Sequence, residues 1–134
     1  MTRYVATLLA LGLLAAGPAL ALPPVFQTLK FKPGASSATV SGGAPQGIHT
    51  CYTLGARKGQ KLKMRVSATA DNAGVTIYLP GWKRDKEGYP DGKWLAGAQD
   101  VSRWSGSLPA SGTYLVDVGG RHGGTDYKLT VEVK

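Results

Sequence analysis

The chain has few of the residues from which catalytic or metal sites are built. It contains one cysteine, two histidines and eight acidic residues, so no disulfide can form within one chain. It has no Gly-x-Ser-x-Gly or His-Glu-x-x-His motif, and no glycine-rich phosphate loop between a strand and a helix. We therefore expect a protein that is not an enzyme and that has no cofactor, no metal site and no nucleic-acid partner.

Long apolar runs are also missing outside the N-terminus. The one run there, residues 5–16, is too short for a permanent membrane span; it follows Arg3 and precedes a small-x-small cleavage site at residues 19–21. These features predict a signal peptide over residues 1–21 that is cleaved after Ala21. We expect a single domain over residues 22–134, periplasmic or secreted and without a membrane span.

The charge is unbalanced. The 16 lysines and arginines against 8 acidic residues give a net charge of +8, of which one unit is lost with Arg3. A basic exported domain is suited to an acidic partner such as an anionic wall polymer, a membrane surface or the acidic cleft of another protein. Charge that serves only solubility is the alternative.

The end of the chain has the clearest secondary-structure signal, with two alternating runs on either side of a glycine-rich turn. Alternation with period two predicts strands that bury one face. The polar residues between the apolar ones, Asp117 among them, are predicted to face water. The residues predicted to face inward are Tyr114, Val116, Val118, Tyr127, Leu129, Val131 and Val133.

The rest of the chain has the same character. Residues 26–32, 36–41, 49–56, 61–68, 75–79 and 100–107 are predicted strands with turn signals between them, and no segment has the pattern of an amphipathic helix. The tryptophan-rich residues 82–104 are interpreted as a long excursion that begins with an irregular loop at 82–99. The sequence thus predicts an all-β fold, a single antiparallel sandwich of seven or eight strands with a jelly-roll-like arrangement.

Three segments resemble a known group of proteins: FKPGASS at 31–37, YTLGARKGQ at 52–60 and LPASGTY at 108–114. In order and spacing they are similar to small exported bacterial β-sandwich proteins related to the pre-peptidase C-terminal domain, in particular the periplasmic inhibitors of i-type and g-type lysozyme. The resemblance covers about three quarters of the chain. It implies a β-sandwich whose protein partner is a lysozyme.

The resemblance also implies contact residues. In the i-type inhibitors a Ser-Gly-x-Tyr loop enters the enzyme's active-site cleft, a role that falls here on Ser111, Gly112 and Tyr114. Related inhibitors are arginine-rich after the next strand, where this chain has only Arg121 and His122. Two alternatives stay open: Tyr114 belongs to the core, or Arg121 and His122 belong to a solvated turn.

The excursion suggests a different function. Trp82, Tyr89 and Trp94 lie among cations such as Lys93, and aromatic rings beside cations are suited to stacking on sugars next to anionic groups. The second hypothesis is therefore a non-catalytic module that binds peptidoglycan or another anionic glycan. Alternatively, these rings anchor the excursion to the sandwich, and Trp104 lies in the core.

Cys51 is predicted to face away from its neighbours Tyr52 and Leu54. If that face is open to solvent, the thiol could pair with a second chain; if it is covered, Cys51 is an inert small apolar residue. The protein is accordingly expected to be a monomer or a weak homodimer.

Overall fold

The computed structural model describes residues 23–44 and 48–134; the predicted signal peptide lies outside them. Among these residues the only helix is a short 3₁₀ turn at Thr69–Asp71, and no helix is long and apolar enough to cross a bilayer. The strands are β1 Val25–Thr28, β2 Ser37–Ala44, β3 Thr50–Ala56, β4 Lys61–Ala68, β5 Ala73–Tyr78, β6 Lys83–Arg84, β7 Pro90–Asp91, β8 Arg103–Ser107, β9 Gly112–Gly120 and β10 Thr125–Val133.

Eight of these strands form two four-stranded sheets. The first has the order β1-β3-β9-β5 and the second the order β2-β10-β4-β8, while β6 and β7 pair as a small separate ribbon. The predicted all-β sandwich is confirmed. One pairing differs from the expected antiparallel pattern, because β1 runs parallel to β3. The strand that follows β1 lies in the other sheet, so β1 is not one arm of a hairpin.

The core lies between the two sheets. The inward residues of β4, β9 and β10 alternate as predicted, and Val133 is only partly buried. The hydroxyls of Tyr52 and Tyr127 meet across the core at 2.7 Å. This bond joins the first sheet to the second in an apolar interior, where an unpartnered hydroxyl would be costly.

The outer face of the first sheet is also covered, contrary to expectation. Cys51, Leu115 and Asp117 all point to this face, and all three are buried. The prediction that Asp117 faces water is therefore wrong. His49 lies against Asp117 on this face, and the excursion places Trp82 over Phe26 on the same face. The backbone of the excursion also hydrogen-bonds to Val75 and Ile77 of β5 and to Leu79 just beyond it.

Trp82, the first residue of the excursion, packs on the outer face of the first sheet. Its indole N–H donates to the carbonyl of Thr113 at 3.0 Å, and its ring stacks on Phe26 with centroids 6.0 Å apart. The guanidinium of Arg84 lies 3.6 Å from the centre of the Phe26 ring. The segment predicted to be irregular is therefore a cover over the sheet, and it shields the β5 edge.

Candidate functional site

Two loops meet at one end of the sandwich, the β3–β4 turn and the segment that precedes β9. The amide of Lys58 donates to Ser111 Oγ at 2.8 Å. The amide of Gly59 donates to the carbonyl of Leu108, and the amide of Leu108 donates to the carbonyl of Gln60, both at 2.8 Å. Residues 57–60 and 108–112, called the loop end below, therefore form one hydrogen-bonded unit.

Tyr114 supports the loop end from below. It has no exposed surface, because it belongs to the inward-facing series of β9. Its hydroxyl donates to the carbonyl of Ala110 at 2.6 Å and accepts from the amide of the same residue at 3.2 Å. The side chain is enclosed in this structure, which agrees with the alternative that Tyr114 belongs to the core.

The exposed part of the loop end is polar and basic. Ser111 and Gly112 are exposed, as are Arg57 and Lys58 beside them. Gly112 has a φ of +143°, and a Cβ there would lie 2.8 Å from Pro80 Cβ. A side chain at this position would be strained and would push against the start of the excursion.

Arg121 and His122 lie elsewhere. They follow the last residue of β9, whereas Ser111 precedes its first, and nine residues at ~3.3 Å each separate the two ends by roughly 26 Å. Ser111, Gly112 and Tyr114 therefore lie at one end of β9, and Arg121 and His122 lie at the other. His122 is exposed, and its amide donates to Asn72 Oδ1 at 2.6 Å.

The guanidinium of Arg121 forms ion pairs with two aspartates, Asp71 and Asp100. Its Nη1 donates to Asp71 Oδ2 at 2.9 Å, and its Nε donates to Asp100 Oδ1 at 3.2 Å. It also donates to both main-chain carbonyls. Asp71 and Asp100 both have a positive φ, 53° and 50°, a conformation that non-glycine residues rarely adopt. Arg121 thus holds two strained turns together.

Sequence reasoning missed the pairing of His49 with Asp117. His49 Nδ1 lies 2.7 Å from Asp117 Oδ1, and the ring of His49 lies over Gly119, where a Cβ would come within 2.9 Å. The hydrogen bond with Asp117 raises the pKa of His49, and desolvation opposes the rise. These residues line a cleft of about 430 Å³ that Asp100 and Arg121 also border. The sequence signal was one acidic residue in a strand, which does not identify its partner.

Cys51 lies beside this pair, because it is the cross-strand neighbour of Asp117. Burial raises the pKa of the Cys51 thiol, and the charge of Asp117 raises it further. A nucleophilic cysteine requires the opposite environment, one that stabilises the thiolate. The cysteine, histidine and aspartate therefore do not form an activated nucleophile, and the burial of Cys51 favours the inert alternative.

The aromatic residues of the excursion have separate positions. Trp82 is packed as described above, Tyr89 is half-buried, and Trp104 donates its indole N–H to the carbonyl of Ala96 at 3.0 Å. Trp94 is the most open, with 45% of its surface exposed. Of the aromatic residues predicted to bind a glycan, only Trp94 is exposed, and it lies beside the exposed cation Lys93, as a sugar-stacking site requires.

One acidic residue of the excursion, Asp85, stabilises the excursion's own turn. Asp85 Oδ1 accepts hydrogen bonds from the amides of Glu87 and Tyr89 at 2.9 and 2.8 Å. Within residues 23–44 and 48–134, no group of three or more histidine, cysteine or acidic side chains is placed to hold a metal ion.

Comparison with known proteins gives matches among solved structures. The chain matches no protein-family model and no curated sequence. It aligns with Aeromonas hydrophila PliG, a periplasmic inhibitor of g-type lysozyme, at a TM-score of 0.65 and 27% identity, over 84% of this chain and 98% of that one. The chain is structurally similar to PliG.

Two further PliG structures share the fold. A variant of the Escherichia coli protein aligns with a TM-score of 0.60 and 24% identity, over 84% of this chain and 100% of that one. The Salmonella Typhimurium protein aligns with a TM-score of 0.59 and 22% identity, over 82% of this chain and 98% of that one. The predicted similarity to periplasmic lysozyme inhibitors is confirmed. The wider relation to the pre-peptidase C-terminal domain stays a prediction.

Proposed function

We propose that this protein binds and inhibits a g-type lysozyme in the bacterial periplasm. The observation that carries the proposal is the likeness to Aeromonas hydrophila PliG over nearly the whole length of that protein. The predicted signal peptide fits the periplasmic location. The role is binding without catalysis, in keeping with the neutral, buried thiol of Cys51.

The proposed contact is the loop end. Ser111 and Gly112 are at its tip, and the exposed cations Arg57 and Lys58 flank them. A catalytic cleft lined by carboxylates attracts such cations and can accept a hydrogen bond from the hydroxyl of Ser111.

Rigidity favours tight binding by this surface. The internal hydrogen bonds of the loop end and the buried Tyr114 hydroxyl below it fix the loops before the partner arrives. Little conformational entropy is then lost on association. Tyr114 contributes to inhibition through this positioning, since its own side chain is enclosed.

A titration of the purified protein against three lysozymes tests the function. Turbidity of a cell-wall suspension is followed with g-type, i-type and c-type enzymes, each at the same initial rate. We expect stoichiometric inhibition of the g-type enzyme and little effect on the c-type enzyme. Absence of g-type inhibition at a large molar excess of the protein would refute the proposal.

Glycan binding is the second candidate function, favoured by the exposed ring of Trp94 beside Lys93. Retention on purified peptidoglycan tests it without any enzyme. Trp94→Ala should abolish retention, whereas the same change at the packed Trp104 serves as a control for general loss of aromatic surface. Retention that is unaffected by Trp94→Ala would exclude this site.

A further inference from the structure

The outer face of the second sheet is open and basic. Its outward positions carry no apolar side chain; β2 presents hydroxyls and a glycine, β4 carries three cations, and β8 and β10 carry one each. Two acidic residues, Asp126 and Glu132, share the face, and Glu132 pairs with Lys134 at 3.6 Å. The cations, called the basic face below, are Lys61, Lys63, Arg65, Arg103 and Lys128.

Two arginines stand side by side on this face. Arg65 and Arg103 are directly opposite each other in the β4–β8 pairing, and like charges in that relation destabilise a sheet. In the part of the chain that the structure describes, no cation of the basic face takes part in an ion pair. The nearest carboxylate on the face, Glu132, lies directly opposite Lys63 and pairs with Lys134, so it forms no ion pair with either arginine.

The space around the two arginines is suited to an oxyanion. A groove of about 720 Å³ is bordered by three cations, one carboxylate, two hydroxyls and two apolar side chains: Lys63, Arg65, Arg103, Glu132, Ser105, Thr130, Met64 and Trp104. The carboxylate of Glu132 is paired with Lys134, so the cations remain in excess. Guanidinium groups bind phosphate oxygens in bidentate fashion, and hydroxyls supply further donors. An anion between the arginines would turn their repulsion into attraction.

We propose that the basic face is a docking surface for an anionic phospholipid bilayer, with Arg65 and Arg103 sharing one headgroup phosphate. The cations extend over three adjacent strands rather than along one line, so they match a two-dimensional array of anions. Anionic lipid surfaces attract clusters of this kind, and the attraction weakens with salt.

The composition of the face favours a lipid surface over a glycan chain. Sugar and base recognition relies on stacking against aromatic rings, but the outward positions of β2, β4, β8 and β10 carry none. The one aromatic ring that borders the groove, Trp104, is partly buried, and its indole N–H already donates to the carbonyl of Ala96. The face also lacks exposed apolar side chains that would insert among acyl chains. Binding is therefore peripheral and reversible, and it leaves the loop end free at one end of the sandwich.

Vesicle sedimentation tests the proposal with the purified protein. Vesicles of phosphatidylcholine alone are compared with vesicles containing 30% phosphatidylglycerol, at low and high salt. We expect sedimentation only with the anionic vesicles, and release at high salt. The double variant Arg65→Gln/Arg103→Gln should lower the partition coefficient by at least about tenfold.

A charge-matched control separates this site from net charge. Lys83→Gln/Lys86→Gln removes the same two charges from the excursion, on the other side of the sandwich, and should change partitioning by about twofold or less. Thermal unfolding checks that both variants fold. Because Arg65→Gln/Arg103→Gln removes the repulsion between the arginines, its melting temperature should be unchanged or higher.

Four results would overturn the proposal: equal binding to neutral and anionic vesicles, equal loss in the two double variants, retention on wall polymer without vesicle binding, or binding of inorganic phosphate without vesicle binding. The test uses no lysozyme, so its outcome is independent of the proposed inhibition.

Discussion

The two sheets have the same number of strands but differ in what lies on their outer faces. The first sheet is buried on both sides along most of β9, where Leu115 and Asp117 are enclosed, whereas its edge strand β1 is mostly exposed. The second sheet is open, and its outer face carries the basic face. β4, which has one side open to water, alternates both in sequence and in burial. β9 alternates in sequence except at Leu115, yet its residues from Tyr114 to Gly119 are all buried. The covered side is structural, and the open side is available for partners.

Truncation of Leu115, on the covered side of the first sheet, should cause the largest loss of stability. Leu115→Ala removes a fully buried side chain and should lower the free energy of unfolding by about 2–5 kcal/mol. The equivalent change on the open side, Lys128→Ala, should alter it by less than about 0.5 kcal/mol. Urea denaturation measures both values; equal values would mean that the two faces are alike.

Removal of the Asp117 charge has the next largest expected effect. Asp117→Asn weakens the hydrogen bond to His49 in a buried position and should cost about 1–3 kcal/mol of unfolding free energy. Glu132→Gln, on the open side, is the matched control and should cost much less. A cost for Asp117→Asn as small as that of the control would show that the pair is solvated.

The reactivity of Cys51 measures how well the first sheet is covered. Because the thiol is buried and its pKa is raised, a thiol reagent should modify the native protein only as fast as the protein opens. Trp82→Ala, which removes a ring from the cover, should accelerate the reaction. Rapid modification of the unaltered protein, or a disulfide-linked dimer on a non-reducing gel, would show that this face is accessible.

The smallest effect expected is on pH dependence. Hydrogen bonding to Asp117 raises the pKa of His49 in the folded state above 6.5, so the pair stabilises the fold fully at lower pH. This stabilisation is lost as the pH rises through the raised pKa. The His49 side chain is 43% exposed, so solvent screening limits the effect to about 1 kcal/mol or less. Unfolding free energies between pH 5 and 9 should decline more for the unaltered protein than for His49→Gln, and parallel curves would contradict the assignment.

The sequence predicted strands best where the alternation of apolar and polar residues was enough to define them. Alternation located β4 at residues 61–68 and fixed the inward series of β9 and β10. It could not show that residues 82–101 pack on the first sheet and along its β5 edge, because that depends on pairing between segments distant in sequence. Sequence alone also could not show that the predicted contact residues lie apart. Ser111 and Arg121 are close in sequence, but they flank opposite ends of one extended strand.

The central claim is that the loop end inhibits a g-type lysozyme, and one comparison tests it most directly. The inhibition constant is measured for Arg57→Ala/Lys58→Ala and for Lys83→Ala/Lys86→Ala, which remove equal charge from the loop end and from the excursion. We expect the first pair to weaken inhibition by about tenfold or more and the second by much less. Full inhibition by the loop-end variant, with its fold intact, would contradict the account.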